Sequence, residues 1–143
     1  MSLEDIETRF EDQQLELVRQ KGVLRPAETI EGVVSAWKYS MVIFAFGFIA
    51  RLMQKRYLLL VTNQRVLLIH VPAFTVHGGG YYGFAEASRP CPLKLADAPQ
   101  SVHQNGIALS LPDAFAQFVG RPAVRVVRGL AAQKVVEVAG QNP

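Results

Sequence analysis

Residues 56–70, RYLLLVTNQRVLLIH, predict two β-strands joined by a two-residue turn. Residues 58–61 and 66–69 are apolar runs of strand length. Asn63 and Gln64 lie between them, and Asn tolerates the positive φ that tight hairpin turns need. Two neighbouring apolar strands indicate a fold and not a reaction, so the sequence says more about architecture than about activity.

The length and composition fit one ordinary globular domain. The chain has 143 residues, of which 50% are hydrophobic and 19% are charged. Cys91, between two prolines, is the only cysteine, so an intrachain disulfide is excluded and the thiol is expected to be structural in a reducing, cytosolic setting. The three histidines have no metal-ligand spacing, so neither a metal nor a cofactor is predicted. The N-terminus is acidic and no apolar stretch follows it, so we expect no signal peptide.

The charge is divided unevenly along the chain. Residues 1–31 hold eight acidic and four basic residues, whereas the remainder holds four acidic and eleven basic ones. A basic body can attract anionic lipid headgroups, an acidic partner or nucleic acid, and a solvated surface of mixed charge is the alternative. Nucleic acid is not the expected partner, because basic residues do not interleave with aromatic ones in a stacking pattern.

The N-terminal segment predicts an amphipathic helix over residues 2–20, with Gly22 as its stop. Its apolar residues follow helical spacing on one face, namely Leu3, Ile6, Phe10 and Leu17. We expect Phe10 and Leu17 to dock on the domain or on another subunit. The chain is therefore divided into an N-terminal helix, 1–22, and a main domain, 23–143.

Further strand and turn signals follow along the chain. Strands are predicted at residues 29–37, 81–86, 93–95, 98–103, 107–111 and 123–127, and Asn105-Gly106 predicts a second hairpin. Residues 112–118 fit one helical turn or a long hairpin loop. Residues 130–139 indicate a helix, with a last strand as the rival because of their valines. Many short strands with regular turns favour a closed or nearly closed barrel or a sandwich.

The segment 41–50, MVIFAFGFIA, is uncharged and rich in phenylalanine. It is too short to span a membrane. It can be a buried helix or strand in the core or over the end of a barrel, an interfacial insertion with aromatic and cationic flanks, or a partner contact. The last two readings give the candidate lipid- or partner-binding residues Trp37, Lys38, Phe44, Phe46, Phe48, Arg51, Lys55 and Arg56.

Residues 57–69, YLLLVTNQRVLLI, resemble the strand–Thr-Asn-x-Arg–strand hairpin of bacterial pleckstrin-homology-like domains, which are related to GRAM-type domains. Residues 24–29 resemble the entry to the first strand of that family, and residues 92–95 and 105–107 resemble its middle strands. The resemblance implies an α+β, mainly β fold. This fold is a strongly bent barrel of about seven antiparallel strands with a C-terminal helix, to which residues 1–22 add an extra N-terminal helix.

The resemblance also implies a non-enzymatic module, and the sequence shows no acid–base pair, nucleophile elbow or metal cluster. Eukaryotic relatives often bind phosphoinositides through a basic first hairpin loop, and bacterial members tend to oligomerise. We expect Arg65 to form a structural ion pair. The predicted function is a binding module for an anionic membrane surface or a protein partner, cytoplasmic or peripheral at the inner face of the membrane. A homo-oligomeric scaffold without lipid binding is the alternative.

Overall fold

The computed structural model of the chain describes residues 3–38, 56–71, 83–96 and 106–143. In chain order the elements in these ranges are α1 (Leu3–Gln20), β1 (Ile30–Trp37), β2 (Arg56–Thr62), β3 (Arg65–Val71), β4 (Gly83–Ser88), β5 (Lys94–Leu95), β6 (Ile107–Ser110), α2 (Asp113–Val119), β7 (Ala123–Val126) and α3 (Gly129–Ala139). The predicted α+β, mainly β fold with seven antiparallel strands and a helix at each end is confirmed. The predicted strand at 98–103 and the segment 41–50 lie outside the described residues.

The strands form one sheet in the order β4-β3-β2-β1-β7-β6-β5. Every neighbouring pair is antiparallel. The strands of the opening hairpin are confirmed, since β2 and β3 pair from Arg56 opposite Val71 to Val61 opposite Val66. The positive φ expected at Asn63 is wrong, because Ala27 is the only non-glycine residue with a positive φ in the described ranges. β1 meets β7 only at its end, where Trp37 lies opposite Arg125. The backbone N–H and C=O groups on this side of β1 before Trp37 therefore form no hydrogen bonds with β7.

The expected barrel closure is wrong, because the sheet stays open between β4 and β5 in the described part of the chain. Pro90 and Pro92 flank Cys91 between these strands and lack the N–H groups that a sheet ladder needs. The Cys91 N–H donates instead to the Ala139 carbonyl oxygen at the end of α3, over 2.7 Å. Arg89 Nη2 donates to the Val138 carbonyl oxygen over 2.8 Å. This segment therefore binds the last turn of α3 rather than another strand.

Both faces of the β2–β3 hairpin are buried, which explains why its apolar runs do not alternate with polar residues. Successive side chains of a strand point to opposite faces. Leu59 and Leu68 join the main core with Phe115 of α2 and Val135 of α3. The opposite face carries what we call the outer cluster, formed by Leu58, Leu60, Leu67, Ile69 and Val71 together with Val18 of α1.

The face that α1 buries is not the predicted apolar stripe. Among its side chains that the structure describes, the buried ones are Glu7, Glu11, Gln14 and Val18, which follow helical spacing, while Ile6 is 46% exposed. Phe10 is half-buried and packs against the outer cluster, as expected for a docked residue. The prediction failed for the stripe as a whole because Arg56 of β2 and Arg128, which precedes α3, pair with the two carboxylates, and buried charges are tolerated where they are paired.

Candidate binding surface at the ends of strands β1 and β2

The structure brings together the described members of the predicted site. Trp37 is the last residue of β1 and Lys38 directly follows it, and Trp37 lies opposite Arg56, the first residue of β2. On its other side Trp37 lies opposite Arg125 of β7. Residues 39–55 join the two strand ends, so Phe44, Phe46, Phe48, Arg51 and Lys55 lie outside the described residues.

Arg56 is held by α1 and by Trp37. Its Cζ lies 3.5 Å from the centroid of the Phe10 ring and 3.9 Å from that of Trp37, so both rings make cation–π contacts with the guanidinium. Its Nη2 lies 2.5 Å from Glu7 Oε2. Trp37 is only 8% exposed. Arg56 therefore takes part in the contact with α1, and Trp37 packs on its guanidinium. The role of both residues toward a lipid or partner stays a prediction.

A second buried carboxylate, Glu11, lies beside this pair. Arg128, which precedes α3, donates from Nη1 to Glu11 Oε1. The Ser35 backbone N–H and Oγ each lie 3.0 Å from Glu11 Oε2, and Ser35 Oγ also contacts Glu7 Oε2. The Ser35 N–H, which β7 does not pair with, therefore donates to Glu11 instead. We call Ser35, Arg56 and Arg128 the helix-docking site.

Burial raises the pKa of the Glu11 carboxyl, and the nearby Glu7 acts in the same direction, against the hydrogen bonds from Ser35 and the charge of Arg128. The Ser35 hydroxyl has one proton for two carboxylates. Sequence reasoning missed the site, and the only signal for it was the helical spacing of Glu7, Glu11, Gln14 and Val18.

Three cations belong to the segments that meet at the end of β1, and we call them the basic rim: Lys38, Arg121 and Arg125. Lys38 directly follows β1, Arg125 lies opposite Trp37, and Arg121 follows Gly120, which lies beside the Lys38 ammonium. Arg121 is exposed and the other two are partly exposed. A Cβ placed on Gly120 would lie 3.6 Å from Lys38 Nζ, so this ammonium lies beside the last turn of α2. Helix C-termini favour cations, which helps to place Lys38 there.

The Thr-Asn-x-Arg motif forms a separate, structural network. Arg65 Nε donates to Glu28 Oε2 over 2.9 Å and Nη2 donates to Glu28 Oε1 over 3.1 Å, and Nη1 also pairs with Glu86. Thr62 Oγ1 donates to Glu28 Oε2 over 2.6 Å and accepts the Arg65 N–H over 3.0 Å. The expected structural ion pair of Arg65 is confirmed.

Glu28 makes this network sensitive to acid. Burial alone would raise the pKa of its carboxyl, but hydrogen bonds from Arg65, Thr62 and the Arg25 N–H lower the pKa from 4.5 to about 2. Because the folded pKa lies below the unfolded one, Glu28 stabilises the fold above about pH 4.5 and this contribution is lost as the pH falls through about 2.

We therefore expect Glu28→Gln to lower the free energy of unfolding by about 2–3 kcal/mol at pH 7 and by progressively less toward pH 2. Urea unfolding across this range measures the difference. Glu137→Gln removes an exposed charge on α3 and serves as the control. A constant difference between wild type and Glu28→Gln from pH 5 to pH 2 would contradict the depressed pKa.

Comparison of the chain with protein families, with curated proteins and with solved structures finds no match. Within the described ranges, no cluster of three His, Cys, Asp or Glu side chains is arranged to hold a metal ion. None of the described helices is long and apolar enough to cross a membrane. Cys91 is buried, and burial raises the pKa of its thiol, in agreement with a structural role.

Proposed function

We propose that the chain is a non-catalytic binding module that contacts an anionic membrane surface at the end of the sheet where β1 stops and β2 begins. The observation that carries the proposal is the basic rim: Lys38 follows the end of β1, Arg125 lies opposite Trp37, and Arg121 follows Gly120, which lies beside the Lys38 ammonium. The segment that starts from this end is Phe-rich and adds Arg51 and Lys55. Basic residues near a membrane are attracted by about 1 kcal/mol each, and aromatic side chains favour the headgroup region.

The proposed fold family is the pleckstrin-homology-like one. Seven antiparallel strands followed by α3 agree with the architecture that the resemblance implies, and the Thr62–Arg65 turn has the structural network described above. The open sheet differs from a closed barrel. In this proposal the protein lies in the cytoplasm and associates peripherally with the inner face of the membrane, whose anionic lipids attract the basic rim.

Co-sedimentation with vesicles tests the lipid contact. We expect the wild-type chain to sediment with vesicles of phosphatidylglycerol and phosphatidylcholine, and much less with phosphatidylcholine alone. A triple variant of the basic rim, Lys38→Ala, Arg121→Ala and Arg125→Ala, should bind roughly 100-fold more weakly, because it loses three cations worth about 1 kcal/mol each near the membrane. Arg56 is left intact because Glu7 depends on it.

The matched control removes three exposed cations from other elements: Arg19→Ala, Lys94→Ala and Lys134→Ala. It has the same net charge as the test variant and should retain most of the binding. Two results would overturn the proposal: a wild-type chain that stays in the supernatant with anionic vesicles, or equal losses in the two triple variants. Equal losses would mean that net charge alone attracts the chain.

A further inference from the structure

The surface beneath α1 recognises two carboxylates one helical turn apart. Glu7 pairs with Arg56 and Glu11 pairs with Arg128, and Ser35 contacts both carboxylates. Glu7 and Glu11 are each only 1% exposed. Buried pairs of this kind are specific, because removing one partner leaves the other as an uncompensated charge. The two ion pairs therefore fix the position of α1 along the sheet, in addition to its apolar contacts.

Simple release of α1 would be costly. Val18, Phe10 and Leu15 of α1 pack on the outer cluster, whose members Leu58 and Leu60 have no exposed surface. Exposing such side chains to water is unfavourable in proportion to the apolar area exposed. If α1 were released, water could hydrate Glu7 and Glu11, but water could not replace the apolar contacts of α1 with the outer cluster. Whatever replaces α1 must therefore supply both apolar side chains and two carboxylates.

The connection to α1 contains a hinge at a defined place. The chain is fixed to the hairpin from Val23 onward, because Arg65 Nη2 donates to the Val23 carbonyl oxygen over 3.0 Å and the Arg25 N–H donates to Glu28 over 2.8 Å. Gly22 precedes this anchor at a φ of +70°, and a Cβ there would meet nothing within 4 Å. Rotation at Gly22 can therefore redirect α1 without disturbing the hairpin.

We propose that α1 is an exchangeable docking element, and that the partner that fits the surface beneath it is α1 of a second copy of this chain. In the exchanged dimer each α1 docks on the other copy's sheet, with Glu7 on Arg56 and Glu11 on Arg128. Exchange restores every contact that release would lose, so its free energy depends mainly on the hinge and on protein concentration. Mutual exchange of an identical element gives a closed two-fold dimer. The proposal is independent of lipid binding.

Complementary charge reversal in the full chain tests the exchange. One chain carries Glu7→Arg and Glu11→Arg, and the other carries Arg56→Glu and Arg128→Glu. Within either chain, and between two copies of the same chain, docking places like charges together. Between the two different chains, both contacts are complementary. The chains are refolded together from denaturant at high concentration, one of them tagged, and the product is analysed by capture and light scattering.

We expect the co-refolded mixture to give a folded heterodimer with twice the mass of one chain, and each chain alone to give none. In the matched control the first chain carries Asp12→Arg and Glu16→Arg in place of Glu7→Arg and Glu11→Arg. These substitutions reverse two exposed charges of α1, and this mixture should not give the heterodimer. A mixture that contains only monomers, or that stays unfolded by circular dichroism, overturns the proposal.

A second variant tests the same exchange without placing charges in the interface. Deletion of Lys21 and Gly22 shortens the connection, so we expect α1 not to reach its own sheet and the otherwise unaltered chain to form the exchanged dimer. A shortened chain that remains monomeric at all concentrations would equally overturn the proposal.

Discussion

Replacing Arg65 by methionine should lower the free energy of unfolding by about 3–5 kcal/mol. The Glu28 carboxylate has no exposed side-chain surface and accepts two hydrogen bonds from this guanidinium. Methionine fills similar space but leaves the carboxylate with the Thr62 hydroxyl and the Arg25 N–H as its remaining donors. A buried charge that loses its counter-ion is among the most destabilising changes a single substitution can make.

Urea unfolding at pH 7 measures this loss, and three further variants make the result specific. Arg65→Lys should lower the free energy of unfolding almost as much as Arg65→Met does, because an ammonium cannot form the two parallel hydrogen bonds of a guanidinium. Adding Glu28→Leu to Arg65→Met should recover most of the loss, since no buried charge remains. Arg25→Met breaks the exposed contact with Glu86, at 3.6 Å, and should cost less than about 1 kcal/mol. An Arg65→Met variant as stable as Arg25→Met would refute the structural role.

The hairpin could be predicted from sequence because its information is local. Two apolar runs of strand length and the Asn63-Gln64 turn lie within residues 56–70, and a two-residue turn fixes the pairing register of its strands. The burial of both hairpin faces was also present in the sequence, as the absence of alternation. The sequence does not indicate that α1 covers the second face of the hairpin, because this depends on where a helix that is distant in the chain docks.

The helix-docking site could not be predicted because its residues are far apart in the chain. Glu7 meets a partner 49 residues away, and Glu11 meets one 117 residues away. Without those partners an acidic residue on a helix is expected to face water, so the sequence predicts the apolar stripe of α1 as the docking face. The open sheet was missed for a similar reason, since Arg89 and Cys91 bind carbonyl groups of the distant α3.

Arg56→Ala is the second change with a large expected effect, about 3–5 kcal/mol lost from the free energy of unfolding. After this substitution the buried Glu7 keeps only the hydrogen bond from the Ser35 hydroxyl among the described residues. It also removes the cation–π contacts with Phe10 and Trp37, each worth roughly 0.5–2 kcal/mol. Arg9→Ala on the exposed side of α1 should change stability by no more than about 0.5 kcal/mol.

A double-mutant cycle with Glu7→Ala separates the ion pair from the ring contacts. The double variant should be more stable than the sum of the two single losses predicts, because each single variant leaves the other group unpaired. This bears on function, since an Arg56 committed to α1 cannot also hold a headgroup. If Arg56→Ala instead unfolds like wild type but loses binding to phosphatidylglycerol vesicles, Arg56 belongs to the lipid contact and the docked position of α1 is not its stable one. Stability loss together with retained vesicle binding assigns Arg56 to the fold, and leaves the membrane contact to the basic rim and the Phe-rich segment.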